Sequence, residues 1–190
     1  MWGKSMSDID RIRAQSLMQA AGIDALVLFQ PEAFRYAIGA PAGVASMWGR
    51  AGAAAALVPA DAGLPLAAVA SDHAAAAIRE KTPGIDLRAH RIWIDTVDLK
   101  GVTRLDEIDE YYQRERIGGP RPETFDRSLC FNLLGDVLAE RGLGHGRLGV
   151  DLEFMPAADF EALRHALPGI DWVDGSEVLR RLRAVKTPGE

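Results

Sequence analysis

Hydrophobic positions along this chain switch between a helical spacing and short apolar runs, and the switches predict the order of elements. Ile9, Ile12, Leu17, Met18 and Ala21 recur at about 3.6 residues behind Ser7 or Asp8, either of which can cap a helix, and Gly22 ends it. Asp24-Ala25-Leu26-Val27-Leu28-Phe29 is then almost continuously apolar, the pattern of a central strand covered on both faces. Pro31 opens a short helical turn through Tyr36, and residues 39–52 form a loop rich in Gly, Ala and Pro. Residues 53–58 and 64–70, parted by Pro59-Ala60-Asp61-Ala62-Gly63, read as a hairpin whose alanines are weak strand formers.

Further along, Ser71 or Asp72 caps a helix to about Lys81, which Thr82-Pro83-Gly84 stops. Residues 90–96 are the next predicted strand. Residues 98–123 are polar without an apolar period and are expected to be a mobile excursion carrying a short helix. A long helix over 123–141 follows, then the turn Gly142-Leu143-Gly144-His145-Gly146, the strand Arg147-Leu148-Gly149-Val150-Asp151 and a helix from Pro156 to Leu167. Ile170-Asp171-Trp172-Val173 is a last strand, and Ser176 caps an exit helix. This alternation implies an α/β three-layer domain with a mixed sheet of about six strands flanked by helices. Residues 1–7 read as a tag or disordered start, 8–184 as the domain and 185–190 as the start of a linker.

Four stretches of the chain carry a resemblance. Leu17-Met18-Gln19-Ala20-Ala21-Gly22-Ile23-Asp24-Ala25-Leu26, followed by Pro31-Glu32-Ala33-Phe34-Arg35-Tyr36-Ala37-Ile38-Gly39, resembles the opening of the creatinase / Xaa-Pro peptidase family (aminopeptidase P, prolidase; the pita-bread enzymes). There a helix ending L-x-x-x-G-(I/L/V)-D-A-L leads to a strand and then P-E-N-(I/V)-x-Y-L-(T/S)-G. Ala33 replaces the family's Asn and Ile38 its Thr or Ser, so polar contacts of that turn do not carry over. Arg147 to Asp151 is similar to the family's R-(I/L)-G-(V/I)-(E/D) strand. Leu182-Arg183-Ala184-Val185-Lys186-Thr187-Pro188-Gly189-Glu190 is similar to the L-R-x-x-K-(S/T)-x-x-E junction that joins an N-terminal domain to a catalytic half.

The resemblance implies a ribonuclease-H-like creatinase N-terminal fold, non-catalytic by itself, which serves dimerisation and shapes the partner subunit's active site. It implies a parent metallopeptidase, a hydrolase of Xaa-Pro peptides with two divalent ions (Mn, Co or Zn) held by two Asp, one His and two Glu of the other half. Catalytic residues, metal ligands and cofactors are therefore expected to be none in this chain. The expected assembly is a cytoplasmic homodimer of the parent acting on a peptide or small molecule. A creatinase-like C–N hydrolase and a stand-alone binding or dimerisation module are the alternatives.

Composition narrows the field. The chain has 190 residues, 48% hydrophobic and 26% charged, which is ordinary globular usage. A formal charge of −5 with no Lys/Arg cluster excludes a nucleic-acid surface. No apolar run nears the roughly 20 residues that span a bilayer, and the first residues lack the basic-then-apolar order of a signal peptide, so a soluble chain is expected. One cysteine, Cys130, allows no intrachain disulfide, and Cys130, Leu134, Val137 and Leu138 share a helix face, which makes the thiol a small core hydrophobe.

Candidate chemistry is sparse. His73, His90, His145 and His165 fall in no ligand-spaced motif, and Glu161 with His165 reads as a solvated helical pair. Asp24, Asp95 and Asp151 sit near strand ends, where a nuclease gathers Mg²⁺ ligands, but such residues are also ordinary turn and cap groups. The glycine-rich run 142–146 follows a helix and opens a strand, the reverse of a phosphate loop. The sharpest candidate is Met47-Trp48-Gly49-Arg50. By resemblance to creatinase, Trp48 and Arg50 would reach into the partner subunit's active site, the aromatic as a wall and the guanidinium as a fork for a substrate carboxylate. The plain alternative is a surface arginine beside a tryptophan packed on the sheet edge. On either reading an exposed loop arginine has few contacts, so its removal is expected to leave stability nearly unchanged.

Overall fold

Asp10 caps the first helix, in place of the expected Ser7 or Asp8. Its carboxylate accepts from Ile12 and Arg13 N–H at the start of α1 (Arg11–Ala21), while the Ser7 hydroxyl donates to Ala37 O at 2.6 Å and Asp8 N–H to Tyr36 O. The apolar residue Ile9 is thereby buried ahead of the cap, and Ser7 ties the incoming chain to the next helix. This computed structural model describes residues 7–94, 99–110 and 121–186. Residues 1–6 of the expected tag or disordered start over 1–7, Asp95 with residues 96–98, residues 111–120 of the expected excursion and linker residues 187–190 lie outside the described residues.

The strands are β1 (Ala25–Leu28), β2 (Ala55–Pro59), β3 (Ala67–Ser71), β4 (Asp86–His90), β5 (Arg147–Val150) and β6 (Asp171–Asp174). The further helices are α2 (Pro31–Ile38), α3 (Asp72–Lys81), α4 (Arg127–Glu140), α5 (Ala157–Ala166) and α6 (Ser176–Arg183), with 3₁₀ turns at Val44–Trp48 and Leu105–Glu107. One six-stranded sheet runs in the order β4-β3-β2-β1-β5-β6. β1-β2 and β2-β3 are antiparallel, and the three remaining pairs are parallel, so the sheet is mixed.

Strand alternation divides the core. Leu26, Leu28, Ala56, Val58, Ala68 and Ala70 face Met18, Phe34, Ile78 and Leu182 on α1, α2, α3 and α6. Val27, Ala55, Leu57 and Val69 face Phe131, Leu134, Val137 and Leu163 on α4 and α5. Helices on both faces of the sheet make three layers. The alanine-rich hairpin is fully buried on both strands, so packing overrides the weak strand propensity of Ala.

The strand expected over 90–96 is a correction. Pairing with β3 runs from Asp86 to His90, and residues 91–94 are outside any strand. Asp86-Leu87-Arg88-Ala89-His90 is an edge strand with a neighbour on one side only, so it needs no continuous apolar run. Its polar side chains join an ion network to α4: Arg88 Nη2 to Glu140 Oε2 at 2.6 Å and Arg141 Nη2 to Asp86 Oδ2 at 2.9 Å. The apolar Ile92-Trp93-Ile94 instead packs against Ala45, Ala53 and Phe125 in a third, smaller cluster. Ser176 is likewise the first residue of α6, not its cap; its hydroxyl accepts from Glu153 N–H and its own N–H donates to Asp174.

Candidate functional site

Three segments far apart in sequence converge on one buried carboxylate. Asp159 lies in the first turn of α5, where an acidic side chain suits the positive end of the helix, and it is 0% exposed. Arg50, just past the 3₁₀ turn, gives it a two-pronged grip, with Nε to Oδ2 at 2.9 Å and Nη2 to Oδ1 at 2.6 Å. Ala51 N–H donates to Oδ2 at 3.0 Å. Arg127, the first residue of α4, closes the set through Nη1 on Oδ1, and the same nitrogen reaches Ala158 O at 3.2 Å. Burial alone pushes the Asp159 carboxyl up, but these donors outweigh it and hold the group below the ordinary aspartate value.

Aromatic rings wall one side. Trp48 lies against Trp93 with centroids 4.6 Å apart, and Phe125 is 6.2 Å from Trp48. The Arg50 guanidinium carbon stands 5.9 Å over the Phe125 ring, within cation–π reach. Trp48 and Arg50 thus share Phe125 as a neighbour. Met47 is 81% and Trp48 52% exposed, so the tip of the loop is apolar and open.

The expectation that Arg50 is an exposed loop residue with few contacts is therefore corrected. It is the partly exposed end of an ion cluster that ties the loop to α4 and α5. Asp159 and Arg127 were not singled out from sequence. Asp159 reads there as an ordinary first-turn acid, and its partners Arg50 and Arg127 are 109 and 32 positions away, beyond any periodic pattern.

The other candidates do not converge. β1 and β5 are parallel, and Asp24 precedes the first while Asp151 follows the second, so the two carboxylates lie at opposite ends of the sheet. Each clips the two strands together, Asp24 by accepting Arg147 N–H and Asp151 by accepting Phe29 and Gln30 N–H. His90 is buried between the carbonyls of Ala53 and Arg91, and burial holds its imidazole below the ordinary value; His73 and His165 are exposed. Cys130 is fully buried on α4, and burial pushes its thiol up. Residues 142–146 form the turn that closes α4, with Leu143 N–H donating to Leu138 O at 2.8 Å. Among the described residues no three His, Cys, Asp or Glu side chains are grouped to hold a metal ion.

An open cleft of about 670 Å³ lies along α6, lined by Gln30, Asp151, Phe154, Arg180 and Arg183 among others. Asp151 is nearly buried there, and burial raises its carboxyl to about 6 against the pull of the Phe29 and Gln30 N–H groups. A folded value above the unfolded one means that the native state binds more protons between about pH 4 and 6. The stabilising contribution is thus complete below the unfolded value and is lost as pH rises through 6. Wild type should therefore gain roughly 2 kcal/mol relative to Asp151→Asn on going from pH 7 to pH 4.5. Urea unfolding of both chains at the two pH values checks this; an identical gap at both would refute it.

A family model described as "Creatinase/Prolidase N-terminal domain" matches residues 11–185. No curated protein sequence matches the chain. Among solved structures, the N-terminal domain of cytoplasmic peptidase PepQ from Mycobacterium tuberculosis H37Rv is similar with a TM-score of 0.58 at 16% identity, over 91% of this chain and 97% of that one. Dipeptidase PepE from Mycobacterium ulcerans is similar at 22% identity with a TM-score of 0.58, over 95% of this chain and 37% of that one. The Xaa-Pro dipeptidase from Bacillus anthracis gives 14% identity and a TM-score of 0.59, over 95% and 36%. The chain thus spans little more than a third of the two dipeptidases, and at these identities the likeness is one of fold.

Proposed function

The chain belongs to the creatinase/prolidase N-terminal domain family, and on that premise we propose that it is the non-catalytic N-terminal domain of a metal-dependent Xaa-Pro aminopeptidase or dipeptidase. Its work in this reading is dimerisation and the shaping of the partner subunit's active site in a cytoplasmic parent protein. Trp48 and Arg50 supply the shaping, the one as an apolar wall and the other as a receptor for a substrate carboxylate. The supporting observation is the family match over residues 11–185 together with a loop that presents an exposed Trp48 and a half-exposed, firmly held Arg50 on one aromatic cluster.

The two divalent ions belong, in this proposal, to the other half of the parent. The side chains described here do not fit them, since no donor set converges. No helix among the described residues is long and apolar enough to cross a membrane, and the net charge of −5 disfavours nucleic acid as a partner.

The purified chain, after dialysis, is expected to retain no stoichiometric Mn²⁺, Co²⁺ or Zn²⁺ and to cleave neither Xaa-Pro peptides nor creatine. A retained equivalent of metal, or turnover that a chelator abolishes, overturns the proposal. The reading frame after Glu190 tests the parent. Two Asp, one His and two Glu in that segment support a peptidase; a catalytic His without them redirects the proposal to C–N hydrolysis; a stop codon replaces it with a stand-alone module.

A further inference from the structure

We propose that Asp159 is the positioning residue of Arg50: its buried carboxylate takes one edge of the guanidinium and leaves the other edge to a monocarboxylate bearing an apolar group. This rests on the reading of Arg50 as a carboxylate receptor and adds to it the residues that aim and charge the receptor.

A guanidinium offers five N–H donors and can grip a carboxylate two-pronged along a side edge (Nε with Nη2) or along its end (Nη1 with Nη2). Asp159 occupies the side edge, with contacts of 2.9 and 2.6 Å. Nη1 makes no hydrogen bond among the described residues, and the Arg50 side chain keeps 38% of its exposure. A flexible arginine has several rotamers to lose on binding, whereas one already held by a fully buried acid loses fewer.

Asp159 alone would cancel the charge of Arg50. Arg127 on the same carboxylate prevents this, because two guanidinium charges against one carboxylate leave one net positive charge. Arg127 thus balances Asp159 and frees the Arg50 charge for a ligand. Phe125 beneath the guanidinium and the Trp48–Trp93 pair beside it supply the surface for the ligand's apolar part. The ligand class follows from these two features: one negative charge, presented as a planar carboxylate, next to an apolar or aromatic body.

Nitrogen-15 NMR of the whole 190-residue chain, with benzoate as the probe, tests the proposal. In the wild type, Arg50 Nε–H should exchange with water more slowly than that of exposed Arg35, and benzoate should shift the Arg50 guanidinium resonances saturably. Asp159→Asn should bring Arg50 exchange to the Arg35 rate and weaken benzoate by several-fold to roughly tenfold, because the loss of a pre-aimed side chain outweighs the local gain of one positive charge. Arg127→Gln should keep the slow exchange yet weaken benzoate, because only the net charge has changed. Wild-type Arg50 exchanging as fast as Arg35 overturns the proposal without any variant having to fold, and so does undiminished benzoate binding in Asp159→Asn. Slow exchange with no benzoate shift in the wild type has another meaning: the receptor reading itself fails, and Asp159 is reduced to an anchor of the loop.

Discussion

Gly52→Ala is expected to cost about 3–5 kcal/mol of folding stability, from backbone strain and overpacking together. Gly52 has φ +94°, a conformation that an L side chain rarely adopts, and a Cβ there would stand 2.5 Å from Arg127 Cβ and 3.0 Å from Arg127 Cα. The obstacle is the first turn of α4, which cannot swing aside as the tip of a long side chain can. The glycine is the point where the loop crosses α4 closely enough for Arg50 and Arg127 to reach one carboxylate. Gly49→Ala supplies the control, because Gly49 has φ +62° but nothing within 4 Å of the added carbon. It should cost only the strain, about 1–2 kcal/mol. Denaturant melts of the two variants decide: equal losses would mean that the close approach to α4 carries no weight.

The fold was largely readable because its signals are local. The apolar run before Phe29, the turn residues 59–63, and the caps at Ser71 and Gly22 each set one element by chemistry within a few residues. What failed was decided at a distance. β4 is an edge strand whose Asp86 and Arg88 are satisfied by Glu140 and Arg141 on a helix some fifty positions later, so no alternation marked it. The Ile92-Trp93-Ile94 run attracted the strand assignment because its apolar character is real, but that character serves the aromatic cluster under Trp48.

The candidate site was half readable for the same reason. Trp48 and Arg50 stand out locally as an aromatic and a cation in a glycine-rich loop. Asp159 could not stand out, since an acid in a helix's first turn needs no further explanation until the fold brings Arg50 and Arg127 onto it. The burial of that acid changes what the loop is. An exposed arginine would be a passive surface group, whereas this one is an extension of the α4–α5 packing.

Asp159→Ala is accordingly expected to destabilise the chain by about 3 kcal/mol, near the low end for breaking a buried ion pair, because Arg50 and Arg127 are partly exposed and can turn to water. Ala51 N–H loses its acceptor in the same change. Arg50→Ala should cost about 1–2 kcal/mol, since Arg127 and Ala51 continue to satisfy the carboxylate. The double variant should then cost less than the sum of the two, by roughly 1 kcal/mol or more, the signature of residues that share one interaction. The pH dependence adds an independent check. Asp159 has a folded value depressed below the unfolded one, so its contribution is present above the unfolded value of about 3.9 and is lost as pH falls through the folded value. The gap between wild type and Asp159→Ala should accordingly narrow on acidification below about pH 4 and stay constant above about pH 5. Additive losses in the cycle, or a gap that widens in acid, would show that Arg50 and Asp159 are neighbours without being partners, and the loop would have to be held by its aromatic contacts alone.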